Sequence, residues 1–182
     1  MDELIDILDS KGNYTGKIEL KSHAHRMGLF HATVHVWFYT KEGNILIQQR
    51  GHDKDMHPML WDVSVAGHIG AGEEIEASAI REVAEEIGLK LEKEQLQKIG
   101  VFKSIQKHVE DLTDCEFHHT FVCELQLPLS QFKKQESEVE ALNLISVEKF
   151  HEEILKNTIS KKYVPHILSY YEKVIKSIRI KL

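Results

Sequence analysis

The sequence predicts an α/β (α+β) fold, in which a mixed β-sheet carries helices on each side. Short segments rich in β-branched and aromatic residues recur along the chain, which is typical of strands. A glycine-rich loop leads into an amphipathic stretch that ends at Gly88, and two more helical patterns close the chain. With 182 residues, the chain is long enough for a full core, and we expect one domain, residues 1–182.

The first part of the chain predicts a hairpin followed by three strands. The segments LIDIL and KIEL flank the turn SKGNYTG, which indicates an N-terminal β-hairpin within about residues 1–28. Residues 31–39 are the most β-branched and aromatic segment, so they predict a central strand. The turn KEGN then leads into a returning strand at residues 45–50, and residues 61–66 predict another strand.

The second part predicts three strands and two helices. Residues 99–109 and 116–127 form two strand patterns joined by the acidic turn EDLTD, and residues 142–147 close the sheet. The C-terminal helices, within about residues 147–180, are predicted from Val147 to Leu155 and from Val164 to Ile178. Ser146 is suited to cap the first of them, and Pro165 falls in the first turn of the second.

Composition narrows the class of protein. The formal net charge of -6 argues against a surface that coats nucleic acid. No apolar run approaches the length of a membrane span, and the acidic N-terminus lacks the layout of a signal peptide, so we expect a cytoplasmic protein that does not bind membranes. The two cysteines, Cys115 and Cys123, are too far apart along one predicted strand to form a bridge, and we expect free thiols.

The stretch that ends at Gly88 places three carboxylates on one helical face. At about 100° per residue, Glu82, Glu85 and Glu86 fall within about 100° of arc, and Ile80, Val83, Ala84 and Ile87 form the opposite, apolar face. Like charges so close repel one another, and a hard divalent cation would relieve the repulsion. The pattern therefore predicts a site for Mg²⁺ or Mn²⁺, with a solvated acidic face as the alternative.

The spacing of this stretch resembles a known motif. Residues 67–89 match G-x5-E-x7-R-E-U-x-E-E-x-G-U, where U is a bulky apolar residue, at each specified position. This pattern resembles the Nudix box of the Nudix hydrolases. The resemblance implies an α/β/α sandwich and a metal-dependent hydrolase that cleaves the diphosphate linkage of a nucleoside diphosphate derivative or a related X-linked diphosphate.

The resemblance also implies a role for each matching residue. Glu82, Glu85 and Glu86 are expected to bind the metal together with the Gly67 carbonyl, and Glu82 or Glu86 to act as the catalytic base. Structural roles are expected for Glu73 and Arg81, which would brace the loop against the helix, and for Gly67 and Gly88, which suit unusual backbone angles. The resemblance also implies an additional base from a later loop; the candidates are Glu136, Glu138 and Glu140, and the alternative for each is a solvated run of charges.

A second resemblance concerns the region before the box. It is similar to the type I isopentenyl-diphosphate isomerases, which bind a metal through three histidines and two acidic residues. The matching positions here are His25, His31, His68, Asp114 and Glu116, so a second divalent metal is predicted at this cluster. The alternative is that the histidines are ordinary strand residues. The isomerase cysteine is replaced by Ala66, which favours hydrolysis.

Three functions therefore stay open from sequence. A hydrolase acting on a small-molecule diphosphate is favoured, because the carboxylate set is complete; an isomerase of an allylic diphosphate and a non-catalytic nucleotide-binding module are the alternatives. Four aromatic residues are candidates for stacking on a base or, alternatively, for the core: Trp37, Phe38, Trp61 and Phe102. The sequence also leaves a homodimer open, formed through the N-terminal hairpin or the last helix.

Overall fold

The computed structural model describes residues 2–54, 56–109 and 112–182, apart from the side chains of residues 108 and 109. Within these residues the chain forms nine β-strands and five α-helices. The strands are β1 (Leu4–Leu8), β2 (Tyr14–Leu20), β3 (Phe30–Tyr39), β4 (Asn44–Arg50), β5 (Trp61–Asp62), β6 (Val65–His68), β7 (Gln97–Val109), β8 (Leu112–Glu124) and β9 (Val139–Ser146). The helices are α1 (Lys21–Met27), α2 (Ile75–Ile87), α3 (Val147–Leu155), α4 (Asn157–Ser160) and α5 (Leu168–Arg179), with short 3-10 turns at Lys93–Gln95 and Leu129–Gln131.

Strand β3 is the centre of the sheet. It pairs in parallel with β8, from Phe30 opposite Cys115 to Tyr39 opposite Glu124. It also pairs antiparallel with β6, β4 and β1, and β1 continues into the hairpin strand β2. The sheet is therefore mixed, and the predicted N-terminal hairpin is confirmed.

Helices cover both faces of the sheet. On one face, Val83 and Ile87 of α2 are buried in a cluster with strand residues of β3, β6 and β8. On the other face, Phe150 of α3 and Val174 of α5 pack in a second cluster around Trp37 of β3. Both clusters are dominated by apolar side chains with little or no exposure, so their burial is the main source of stability. The predicted α/β/α layering is confirmed.

One predicted strand is interrupted. Residues 61–66 contain the whole of β5 and the start of β6, and the side chains of Asp62 and Ser64 form hydrogen bonds with the backbone at the break between the two strands. The Asp62 carboxylate accepts from the Val63 N–H at 2.8 Å, and the Ser64 hydroxyl donates to the Leu46 carbonyl at 2.5 Å. The chain also forms a short helix, α1, that periodicity did not predict, and this helix ends at Gly28 with a left-handed φ of 59°.

The last helix starts later than predicted. The Val164 N–H donates to the Trp61 carbonyl at 2.9 Å, so the chain is extended there and α5 begins at Leu168. The prediction that Pro165 lies in the first turn was therefore wrong, and Pro165 precedes the helix. Ser146 caps α3 as predicted, because its side chain accepts a backbone N–H of the first turn.

The ends of the later strands also differ. Strands β7 and β9 begin before the predicted starts at residues 99 and 142, and β8 begins at Leu112, within the predicted acidic turn. Strand β8 pairs with β3 and β7 over most of its length. Backbone pairing with neighbouring strands therefore continues beyond the apolar segments from which the strand ends were predicted. Glu110 and Asp111 of that turn lie outside the described residues.

Candidate functional site

The chain contains a cleft of about 820 Å³ beside the centre of the sheet. Its walls come from α1, α2, β3, β6 and β8 and from the loops that follow β4 and precede β9. Residues from both groups singled out in the sequence line this one space, namely Gly67, Glu82, Glu85, Glu86, His25, His68, Asp114 and Glu116. The helix carboxylates and the histidine cluster therefore belong to one candidate site.

Helix α2 presents its three carboxylates at different depths. Glu82 and Glu86 are only 8% and 4% exposed, whereas the Glu85 side chain is 53% exposed. The predicted apolar face was partly wrong, because Ala84 is exposed and Ile80 is only half-buried. The helix is rotated so that the buried glutamates flank the apolar stripe that packs on the sheet, which consists of Ala79, Val83 and Ile87.

Arg81 lies among three acidic side chains and a backbone carbonyl. Its guanidinium donates to both Glu73 carboxylate oxygens at 3.0 Å and to the His68 carbonyl at 3.0 Å. A further guanidinium nitrogen donates to Glu82 at 2.7 Å and to Glu85 at 3.1 Å. These bonds hold the pKa of Glu73 down to about 2. Arg81 thus ties the glycine-rich loop to α2 and supplies positive charge beside two of the three helix carboxylates.

Glu86 is the most perturbed carboxyl of the helix. Burial raises its pKa to about 8, because the charged form has lost water. Gln48 of β4 donates to it at 3.0 Å, and the positive charge of Lys54 only partly offsets the effect of burial. Burial likewise raises the pKa of Glu82, against the opposing effect of Arg81. A cation placed between these two carboxyls would favour their charged forms.

Close packing, and not an unusual backbone angle, explains why residue 67 is a glycine. Its φ is not positive, so the expectation from the sequence was wrong for this residue. A Cβ at this position would overlap the Glu82 carboxylate, so only glycine lets that carboxylate lie against β6. Gly88 does have a left-handed φ of 71°, and it ends α2 with a backbone bond to the Ala84 carbonyl.

Of the three later glutamates, Glu138 lines the cleft. It forms an ion pair with Lys54, which also lines the cleft and lies near Glu86. Glu140 is directed to His52, at 3.7 Å, and Glu136 is exposed; neither belongs to the cleft walls. The structure therefore places one of the three candidates beside the helix carboxylates.

Four side chains of the second predicted cluster converge. His25, His31, His68 and Glu116 each offer a ligand atom, and these atoms all lie within 4.8 Å of one another. The Nε2 atom of His25 is 3.3 Å from that of His31 and 3.2 Å from that of His68. Glu116 Oε1 lies 3.4 Å from His31 and 3.6 Å from His68. Three imidazoles and a carboxylate at these separations fit a divalent metal with nitrogen and oxygen ligands.

The sheet register creates this convergence. His31 lies opposite Glu116 in the β3–β8 pair, and His68 lies on β6, which pairs with the other side of β3. The Nδ1 atom of His31 donates to the Leu29 carbonyl at 2.9 Å, which leaves Nε2 for the cluster. Asp114 lies behind His25, with 3.7 Å between its Oδ1 and Nδ1 of the imidazole, and burial raises its pKa to about 7.

A comparison with protein families identifies the fold of this site. The family model described as NUDIX domain matches residues 29–167, which include the glycine loop, α2 and most of the sheet. The chain belongs to the Nudix hydrolase family. The match leaves out the N-terminal hairpin, α1 and α5.

Individual Nudix relatives agree with this membership. The chain is 36% identical over 174 residues to Nudix hydrolase 3 of Arabidopsis thaliana, covering 91% of this chain but only 22% of that protein. It is 29% identical over 203 residues to an uncharacterised Nudix hydrolase of Clostridium acetobutylicum, covering 97% of both chains. An isopentenyl-diphosphate Δ-isomerase of Serratia proteamaculans is 33% identical over 122 residues, which are 67% of this chain and 66% of that protein.

Solved structures show the same Nudix fold. A protein of Deinococcus radiodurans superposes with a TM-score of 0.67 at 18% identity, covering 89% of this chain and all of that one. A MutT protein of Methanosarcina mazei superposes with a TM-score of 0.58 at 15% identity, over 84% of this chain and 94% of that chain. At these identities the likeness concerns the fold.

Sequence reasoning missed the inner end of the Nudix cleft. Asp62 is 4% exposed and accepts from Arg50 at 3.1 Å and from His166 at 3.0 Å; these bonds hold its pKa far below its usual range despite burial. His35 lines the same end. The sequence signal for this part of the cleft was the large number of histidines, 12 in the chain. The residue patterns placed some of them on strands but did not show that they would lie close together.

The aromatic candidates for stacking on a base belong to the core instead. Trp37 and Phe38 are fully buried, and Trp61 and Phe102 pack against the cluster around Trp37. None of the four is among the cleft-lining residues in the described part of the chain.

Proposed function

We propose that this Nudix chain is a metal-dependent pyrophosphohydrolase that cleaves the diphosphate linkage of a nucleoside diphosphate derivative or a related X-linked diphosphate. The observation that carries the proposal is the wall of the cleft formed by Gly67, Glu82, Glu85 and Glu86. A diphosphate resists attack by water until its clustered negative charge is neutralised. Oxygen ligands gathered on one wall of a deep cleft suit that requirement.

Mg²⁺ or Mn²⁺ would be held by Glu82, Glu85, Glu86 and the Gly67 carbonyl. The donor set fits such an ion because it consists of oxygen atoms, and because two of the carboxyls are buried with raised pKa values in its absence. The ion would neutralise phosphate charge and activate water. Glu82 or Glu86 would then orient and deprotonate the attacking water, and Glu138, which lines the same cleft, would act as an additional base.

Cationic side chains support binding of the diphosphate. Arg50 and Lys54 line the cleft, and each is already paired with a carboxylate, Asp62 and Glu138 respectively. Because these carboxylates already hold the two cationic side chains in place, the side chains would lose little conformational entropy when a diphosphate binds. The acidic net charge of -6 supports a small-molecule substrate rather than nucleic acid.

Hydrolysis is favoured over isomerisation because no cysteine lies among the cleft walls of the described residues. Ala66 occupies the position of the isomerase cysteine and does line the cleft. The free thiols are elsewhere, as predicted: Cys115 and Cys123 are buried, and burial raises the pKa of Cys123 to about 12. No thiol is therefore poised for proton transfer. A nucleotide-binding module without turnover would need fewer carboxylates on the cleft wall.

The test is phosphate release from a panel of nucleoside diphosphates, dinucleoside polyphosphates, nucleotide sugars and other diphosphate esters. We expect turnover with Mg²⁺ or Mn²⁺ and its loss after chelation, because charge neutralisation precedes attack. A recombinant protein that binds members of the panel tightly but turns over none would support the non-catalytic alternative. Double-bond migration of isopentenyl diphosphate, followed by NMR, would support the isomerase.

We also propose a second divalent metal at His25, His31, His68 and Glu116, with Asp114 orienting His25 or joining the ligands. Replacing His31 by Gln is expected to lower the number of tightly bound Mn²⁺ or Zn²⁺ ions by one and to leave the first site intact, since this imidazole is the most buried ligand. Metal analysis after gel filtration measures the number. His23→Gln is the control, because His23 is half-buried and lies on α1, the helix that carries His25, but outside the cluster. An unchanged metal content in His31→Gln would contradict the second site.

Two expectations from the sequence remain proposals. No helix in the described residues is long and apolar enough to cross a membrane, and we propose a cytoplasmic location. We propose a homodimer as an assembly to be tested by light scattering over a range of protein concentrations.

A further inference from the structure

A second cavity, of about 510 Å³, adjoins the cleft. It lies between α3, α4 and the segment that leads into α5, and His57 and His166 line both spaces. His166 is fixed at this boundary because its Nε2 atom donates to Asp62 at 3.0 Å, and Asp62 is held in turn by Arg50 at 3.1 Å. The boundary between the spaces is thus formed partly by an imidazole whose position is set by buried neighbours.

The walls of this second cavity are mostly hydrocarbon, contributed by Leu60, Ile154, Leu155, Pro165 and Leu168. A volume of about 510 Å³ lies within the range of about 300–1,000 Å³ that is usual for ligand pockets. Such a space is larger than a group of a few carbon atoms would fill, so it suits a long chain or a ring system.

Three polar side chains on the same walls are already engaged, whereas Thr158 and Lys161 lie at the exposed side of the cavity. The Tyr163 hydroxyl donates to Glu153 at 2.6 Å, and the Tyr171 hydroxyl donates to the Val164 carbonyl at 2.6 Å. The Asn157 side chain bonds the N–H and the carbonyl of Tyr163, at 2.8 and 3.0 Å. A nucleobase that entered would lose water from its donors and acceptors without gaining partners among these side chains. An apolar group would lose no hydrogen bonds.

We infer that the second cavity receives the apolar group of a diphosphate ester whose diphosphate lies in the cleft. This inference rests on the proposed hydrolase function and names its substrate class. Water attacks one phosphorus atom, and the P–O–P bond breaks. The products are the phosphate monoester of the apolar alcohol, inorganic phosphate and a proton. The substituent stays in the second cavity while its diphosphate is cut beside Glu82 and Glu86.

The experiment uses straight-chain alkyl diphosphates of increasing length, with nucleoside diphosphates for comparison. We expect kcat/KM to rise about fourfold for each added methylene group until the cavity is filled, which corresponds to burial of about 0.8 kcal/mol per methylene. Calorimetry then measures the binding affinity of non-cleavable analogues of the same chain lengths, in which a methylene group bridges the phosphorus atoms. Their affinity is expected to rise in parallel with chain length.

A matched pair of variants locates the effect. Thr158 is an exposed residue on the cavity wall, and Thr158→Trp fills the space with little effect on the core. We expect it to abolish the gain from chain length and to leave the shortest diphosphate unchanged. The control is Ile159→Trp, because Ile159 is 86% exposed and does not line the cavity.

The outcomes separate this inference from the proposed function. Hydrolysis that does not depend on chain length, or a chain-length effect that survives Thr158→Trp, would overturn the assignment of the cavity and leave the hydrolase intact. If no diphosphate is hydrolysed but the analogues bind with a chain-length effect that Thr158→Trp removes, the cavity assignment stands and the hydrolase fails.

Discussion

Replacing Glu86 by Gln is expected to lower kcat by about 100-fold or more and, without metal, to make the protein more stable at pH 8. Activity falls because a carboxylate that would bind metal or activate water is lost. Stability rises because Gln removes a buried carboxyl whose pKa is raised to about 8 in the folded chain. The amide oxygen can still accept the bond from Gln48. The variant thus separates function from stability.

The pH dependence of this stability effect has a definite sign. A raised carboxyl pKa means that the folded chain binds the proton more tightly than the unfolded chain, so wild-type stability falls as pH rises from about 4.5 towards 8. Gln does not titrate, and we expect the variant to gain about 4 kcal/mol over wild type at pH 8 and nothing near pH 4.5. Thermal unfolding in chelator across this range measures the difference.

The control for both effects is Glu74→Gln. Glu74 precedes the same helix, but its side chain is exposed and does not line the cleft. We expect its activity and its unfolding profile to follow wild type. Full activity in Glu86→Gln would remove the residue from the mechanism, and an unchanged pH profile of stability would show that its carboxyl is not perturbed.

Gly67→Ala is expected to lower kcat/KM by about 100-fold and stability by about 1–3 kcal/mol. The added methyl group would overlap the Glu82 carboxylate, so that this side chain or strand β6 must move. A displacement of about 1 Å at a catalytic group can cost about two orders of magnitude in rate. Steady-state kinetics and thermal unfolding measure the two effects.

A second-site change tests the cause. Glu82→Asp shortens the side chain by one methylene group, so the double variant Gly67→Ala/Glu82→Asp is expected to recover stability lost in Gly67→Ala, although not activity. A rescue of this kind is specific to steric conflict between the two residues. Wild-type kinetics in Gly67→Ala, or an absence of rescue, would contradict the proposed contact.

Strands and helices were predicted correctly where the spacing and composition of one chain segment are sufficient to determine its structure. The hairpin, the central strand at residues 31–39 and the helix before Gly88 follow from spacing and composition. Errors occurred where tertiary contacts compete with local preference: Val164 pairs with Trp61 instead of starting α5, and Ala84 of α2 is exposed because the helix packs through a neighbouring stripe.

Spacing within one helix was sufficient to place Glu82, Glu85 and Glu86 on a common face, because an α-helix repeats locally and needs no distant residue to do so. Which of them would be buried depended on the sheet against which α2 packs. The meeting of His31 with Glu116 likewise depended on the parallel register of β3 with β8, a pairing between segments far apart in the chain. Long-range pairing and burial arise only when the whole core forms, and they decided that the carboxylates, the histidines and the apolar cavity adjoin one another.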